Sequence, residues 1–187
     1  MSNRSLLLPL QSILANPMEP SLFFPTLLPV LGELLQCDRC FLYLRNPNRQ
    51  IGKVTHCWRR TPDFPDLTES DWQPEPAEWQ EDPLFVASVR AVPSIYIEDV
   101  ETASPEVVNR EFERRYYGHR ALVHAHLCSG GQLWGVLQPC MFGQPRVWSE
   151  FDRSVITQVT ARITPLAIEY VQAMTEGIEL PRTKLQE

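Results

Sequence analysis

The sequence predicts an α+β domain built on a central antiparallel sheet. Two observations carry that prediction. Short runs rich in β-branched and aromatic residues come in two pairs, each pair joined by turn chemistry, while helical periodicity is confined to the chain ends and to brief stretches between the pairs. The resulting order of helix, paired strands, loop, short helices, paired strands and long helix contains no internal repeat and belongs to the α+β class. At 187 residues, with 43% hydrophobic and 21% charged, the chain is the size of one domain with a real core, which excludes wholesale disorder.

Leu6, Leu7, Leu10, Ile13 and Leu14 recur at helical spacing, and Asn16-Pro17 closes the pattern because the residue before proline avoids the α region. A second helix is predicted from about 21 to 36, where Phe23, Phe24, Leu27, Leu28, Leu31, Leu34 and Leu35 form a wide apolar stripe. Pro25 is compatible with its first turn, whereas Pro29 removes an internal hydrogen bond and is expected to kink or divide it. Residues 39–44 read as a strand closed by the turn Asn46-Pro47-Asn48, and 51–58 as its antiparallel partner. Between Thr61 and Pro83, five prolines and several acids surround Trp72 and Trp79. This is a long loop, whose two indoles either cover something apolar as a lid or pin the loop to the core.

A short helix over 82–90 and a strand over 94–97 follow. Ser104-Pro105 is a helix start that predicts a helix running to Gly118, with Val108, Phe112 and Tyr116 as its buried stripe and a charged middle on the surface. Residues 121–128 and 132–140 flank Ser129-Gly130-Gly131, which is hairpin chemistry. Ser149 with Asp152 three residues on opens a long helix to about Met174 with one apolar face, which Pro165 should bend. The chain divides into a helical extension over 1–19, a domain over 20–175 and a polar, frayed tail over 176–187.

Charge and composition remove several function classes. A net charge of −6 offers no clustered cations for nucleic acid. The apolar stretch from Leu6 to Leu14 is broken by Pro9 and Gln11 and is far short of the roughly 20 residues of a membrane span, so no membrane partner is expected. Five cysteines, an odd number, without a cationic leader and cleavage site read as a reducing, cytoplasmic compartment.

Two blocks carry a family resemblance. Gly131-Gln132-Leu133-Trp134-Gly135-Val136-Leu137 followed by Pro145-Arg146-Val147-Trp148-Ser149 resembles a strand, short loop and helix entry of the GAF domains found in cyanobacterial phytochromes and cyanobacteriochromes. Cys37-Asp38-Arg39-Cys40-Phe41-Leu42-Tyr43, Ile97-Glu98-Asp99-Val100 and Arg120-Ala121 are similar to further segments of that branch, so the resemblance covers about residues 20 to 175 in order. It implies a GAF-like sheet with the terminal helices packed on one face and a pocket-forming loop and helix region on the other. In that branch a bilin is attached through a cysteine of the helix between the two blocks. Here residues 104–112 contain no cysteine, and Cys140 stands where relatives often have histidine. The usual thioether is therefore absent, and a bilin, if held, is held noncovalently or by Cys57, Cys128 or Cys140.

The resemblance places Arg90, Tyr96, Asp99, Tyr117, His119, Arg120 and Cys140 on segments bordering the pocket, with Trp72 and Trp79 as its lid. His124, His126 and Cys128 alternate on one strand face and could meet a shared metal, but without a fourth ligand at recognised spacing the imidazoles are read as bonding locally, and no metal is expected. Cys37 and Cys40 form an isolated Cys-x-x-Cys, read as buried structural thiols. No catalytic centre is evident. The sequence thus reads as a non-enzymatic sensory or binding module for a small ligand, a noncovalent tetrapyrrole or a partner protein, signalling through its terminal helices, with a homodimer expected. Two alternatives stay open: a bilin photoreceptor or pigment-handling protein with atypical attachment, and a thiol-based redox sensor or enzyme.

Overall fold

The structure, a computed structural model, describes residues 3–16 and 18–178. The predicted tail beyond Ile178 lies outside the described residues. Six strands form one sheet in the order β3-β2-β1-β6-β5-β4, every neighbouring pair antiparallel. The strands are β1 (Arg39–Asn46), β2 (Ile51–Arg59), β3 (Gln73–Pro74), β4 (Ile95–Ile97), β5 (Ala121–Ser129) and β6 (Gln132–Met141). Both predicted hairpins form. At the second, Gly130 and Gly131 take φ of 59° and 74°, backbone angles that side chains rarely adopt and that a two-residue hairpin turn requires.

Helices α1 (Asn3–Ala15), α2 (Pro20–Leu35) and α5 (Glu150–Thr175) cover one face. The stripe Phe23, Phe24, Leu27, Leu28, Leu31 meets Leu42, Leu44, Val123, Ala125 and Leu127 from the sheet, and Val155, Val159, Ile163, Ala167 and Val171 from α5. The expectation that Pro29 divides α2 is corrected: the helix is continuous and starts at Pro20, which puts Pro25 in its second turn. Pro25 is exposed and Pro29 half-buried, away from the fully buried stripe, so the carbonyls they leave unbonded stay near water while packing of the other side holds the helix. Helix α5 likewise runs unbroken through the exposed Pro165, and it opens on the predicted capping box: the Ser149 hydroxyl accepts from the Asp152 N–H and the Asp152 carboxyl accepts from the Ser149 N–H.

The other face carries the loop over 60–82, which includes β3 and a 3-10 turn (Ala77–Glu81), then α3 (Pro83–Val89) and α4 (Arg110–Tyr116). The predicted helix from Ser104 to Gly118 is corrected at its start. Ser104 closes only a turn, its carbonyl accepting from Val107 and Val108, and Asn109 is the N-cap, its side chain accepting from the Phe112 N–H. The break lets Val108 drop fully into a core patch with Leu84, Val100 and Leu122. It also rotates the helix that follows: Tyr116 is exposed, Phe112 is half-buried, and the buried position is Glu113.

Candidate functional site

The sheet face opposite the terminal helices is not filled solid. A cavity of about 280 Å³ lies between β1, β6 and β5 on one side and the loop, α3 and α4 on the other. Phe41 and Tyr43 of β1 and Val136 and Gln138 of β6 floor it, since alternate residues of a strand point the same way and the register sets Phe41 beside Gln138 and Tyr43 beside Val136. Trp79 closes it from the loop, edge-on to Tyr43 at 5.4 Å and 5.3 Å from Phe85. Two buried arginines of β1 fasten the two arms of the loop. Arg39 Nη1 donates to the Pro65 carbonyl, and Arg45 grips Glu75 through Nε at 2.5 Å and Nη2 at 2.9 Å, with the Tyr43 hydroxyl donating to the same carboxylate.

The polar lining is one-sided. Glu69, Glu78, Asp82 and Glu113 line the cavity, and among the described residues no lysine or arginine does. Asp82 is the N-cap of α3: its Oδ2 accepts from the Phe85 N–H at 3.0 Å, while its buried Oδ1 has no partner. Burial pushes this carboxyl up to about 6, and the nearby negative charge of Glu113 adds to the effect against the opposing cap hydrogen bond.

Behind Glu113 runs a buried relay. Arg39 Nη2 lies 2.6 Å from His119 Nε2, and His119 Nδ1 lies 2.9 Å from Glu113 Oε2. A guanidinium only donates, so Nε2 accepts and the imidazole carries its proton on Nδ1, donated to Glu113. Burial lowers the His119 pKa, partly offset by Glu113, so His119 links an arginine to a carboxylate as a neutral ring. Phe41 and Tyr117 stack beside it.

A second chain of rings is fixed by the same logic. The Val92 carbonyl can only accept, so His126 Nδ1 donates to it at 2.8 Å, leaving His126 Nε2 to accept from His124 Nδ1 at 2.9 Å. His124, which lines the cavity, is left with an unprotonated Nε2 that has no partner among the described residues. Burial foremost, then the neighbouring His126, holds its pKa well below that of a free imidazole. The two imidazoles bond locally, as the alternation of His124 and His126 allowed.

Of the residues the sequence pointed to, Tyr117 and Trp79 line the cavity and His119 stands directly behind its wall. The others lie elsewhere. Asp99 and Arg120 pair with each other, at 2.6 and 2.9 Å. Arg90 is exposed at the end of α3. Tyr96 points to the helix face of β4, under the Arg153 guanidinium 4.1 Å away, because Ile95 and Ile97 take the cavity face. Cys140 is buried in the patch around Val108, its Sγ 3.5 Å from the Arg39 carbonyl. Trp72 packs against the helix-side core, with Lys53 Nζ 5.7 Å above its ring.

Sequence reasoning missed Asp82, Glu113, Gln138 and His124 as lining residues. Asp82 had a signal, an Asp-Pro at a helix start, read only as punctuation. Glu113 had none, since it sits in a run of charges whose inward face depends on where the helix begins. All five cysteines are free. Cys37, Cys40 and Cys140 are buried, Cys57 and Cys128 are half-buried, and none lines the cavity. Burial raises the thiol pKa of Cys40, Cys57, Cys128 and Cys140. No described helix is long and apolar enough to cross a membrane.

The family model of the GAF domain matches residues 19–164. No curated protein matches the sequence. Among solved structures, the chain is similar to the phycocyanobilin-bound GAF domain from a cyanobacterial phytochrome, at 19% identity over 96% of this chain and 99% of that one, with a TM-score of 0.68. It is also similar to the GAF domain of an Acinetobacter phosphoenolpyruvate-protein phosphotransferase, at 14% identity over 93% and 99% with a TM-score of 0.66. The blue-light absorbing form of the Thermosynechococcus elongatus PixJ GAF domain gives 20% identity over 91% and 92%, with a TM-score of 0.59. At these identities the likeness speaks for the fold, and the family model for descent: the chain belongs to the GAF domain family, whose members are in general sensory, ligand-binding modules.

Proposed function

We propose that this chain is a non-enzymatic GAF sensor that binds a small molecule in the cavity between its sheet and its loop and relays occupancy through the terminal helices. The observation that carries this reading is the half-open, aromatic-lined space with a carboxyl oxygen buried beside it and left without a donor among the described residues. Its volume, about 280 Å³, lies just below the roughly 300–1,000 Å³ of pockets for drug-sized ligands. A bilin brings two propionate groups, and the cavity offers carboxyls to meet them and no cation. A thioether needs a thiol at the wall, and none lines it. Thiol chemistry needs thiolates, and burial disfavours them. These observations set the small-ligand reading above the pigment and redox alternatives.

Relay through the helices rests on β1, whose Phe41 and Tyr43 face the cavity while Cys40, Leu42 and Leu44 lie in the core under α2 and α5. Leu8 of α1 and Leu22 of α2 are 68% and 61% exposed, which supports association through these helices as a homodimer. The test is native mass spectrometry and absorbance of the protein purified from cells with and without bilin synthesis. A small adduct released on denaturation, lost in the cavity-filling variant Val136→Phe, is expected. A visible band that survives denaturation overturns the reading.

A further inference from the structure

The charge and hydrogen-bonding pattern of the cavity selects a chemical class of ligand, an inference that rests on the small-ligand reading above. Four acidic side chains line the space without a facing lysine or arginine. Each has one oxygen engaged by the protein: Glu69 Oε2 by the Val54 N–H, Glu78 Oε1 by the Tyr116 hydroxyl, Asp82 Oδ2 by the Phe85 N–H, and Glu113 Oε2 by His119. The second oxygen of each has no protein donor among the described residues. At Asp82, 6% exposed, that second oxygen is buried outright, and such an unpartnered acceptor is costly unless something supplies a donor.

Of the uncharged polar groups, the Gln138 amide and the Tyr117 hydroxyl bring donors, and the others add acceptors. His124 presents the bare Nε2 lone pair that the Val92–His126–His124 chain forces on it. The hydroxyls of Tyr43 and Tyr116 are already donated to Glu75 and Glu78. What remains is a space in which acidic acceptors outnumber the free donors, walled by the rings of Phe41, Trp79, Phe85, Phe112 and Tyr117. Aromatic faces attract cations and repel anions, and desolvated carboxylates do the same more strongly.

We propose that the cavity takes a small organic cation, an amidinium or primary ammonium on a flat apolar body, with the charged N–H groups turned to Asp82 and Glu113 and one N–H given to His124 Nε2. An anion meets only the neutral donors of Gln138 and Tyr117, against four carboxyls of its own sign. A neutral isostere can give the Asp82 oxygen an uncharged N–H but not the charge, and so makes the weaker bond. Glu69 and Glu78, both exposed at the rim, attract the same sign of charge during approach.

Three nearly isosteric planar probes separate the outcomes: benzamidine as its cation, benzamide and benzoate, titrated calorimetrically into the full chain at pH 7.5. The expected result is one-to-one binding of benzamidinium at least tenfold tighter than benzamide, with no heat from benzoate. Asp82→Asn keeps the helix cap and removes the charge; it should weaken benzamidinium about tenfold to a hundredfold and benzamide by much less. Glu78→Gln, at the exposed rim, gives a second variant with a smaller loss in the same direction. Benzamide or benzoate binding as tightly as benzamidinium overturns the cation inference and leaves the small-ligand reading standing. Binding of none of the three, together with no adduct in the native mass spectrum, overturns both.

Discussion

Asp82 lets the electrostatics of the cavity be measured without any ligand. Its carboxyl, ordinarily near 3.8, is raised to about 6 by burial and by Glu113. A raised acid binds its proton more tightly in the folded than in the unfolded chain, so its contribution is most favourable at low pH and is lost as pH climbs from about 4 to 6. Two units correspond to roughly 3 kcal/mol that the folded state forgoes at neutral pH. Asn serves as N-cap as well as Asp, so Asp82→Asn keeps the bond from the Phe85 N–H, although it gives up about 0.3–1 kcal/mol of helix-dipole attraction. The net expectation is a variant more stable than wild type by about 2 kcal/mol at pH 7.5, or about 4–8 °C in Tm for a chain of this length. Urea titrations of both proteins from pH 4 to 8 isolate the effect, because titrating groups that do not interact with Asp82 cancel in the difference. The gain should shrink to well under about 1 kcal/mol by pH 4, where Asp82 is protonated in the folded chain and partly so in the unfolded one. A variant less stable than wild type at pH 7.5, or a gain independent of pH, would refute the reasoning.

His119, His124 and His126 are held neutral with the proton on Nδ1; nitrogen-15 imidazole spectra should show that tautomer for all three at pH 6, and a charged ring among them would contradict the relay. Their lowered pKa values mean that the unfolded chain takes up protons below about pH 6.5 while the folded chain does not, so these rings withdraw stability as pH falls through that range, visible as a steeper acid limb that His124→Gln shortens. Arg45→Met strands the buried Glu75 carboxylate and should cost about 3–5 kcal/mol in urea unfolding, with faster proteolysis between residues 61 and 82. In Gly32→Ala, the added methyl would sit 2.2 Å from the Trp58 ring. The usual helix gain of Ala over Gly is then outweighed by overpacking of about 1–3 kcal/mol, which Trp58→Leu in the same chain should relieve.

The sheet was legible because its signals are local. The glycine pair at 130–131 admits only a hairpin, and the Ser149–Asp152 box admits only a helix start. Strand pairing between distant segments, β1 with β6, was not read from the sequence, since no pattern in either strand encodes it. The candidate site was legible in part for the same reason. Trp79 and Tyr117 could be found from the segments they occupy, but which way Tyr96 points depends on the parity of a three-residue strand. Parity also fails inside β6. Leu127 pairs with Gly135 and Cys128 with Leu133, so Trp134 is an extra residue, and Leu133 and Val136 reach the same face three positions apart. Glu113 was hidden by a helix start displaced from Ser104 to Asn109, a choice made by the burial of Val108, which no local propensity encodes.

The eight residues of β1 are buried without exception. This strand is a partition with no free side: it is at once the floor of one room and the ceiling of the other. A substitution at Phe41 or Tyr43 will therefore disturb the helix assembly together with the cavity, and a single such variant cannot tell loss of ligand from loss of partner contact. Separating the two requires changes made at the rim, where Glu78 and the exposed Tyr116 touch the cavity and leave the partition intact.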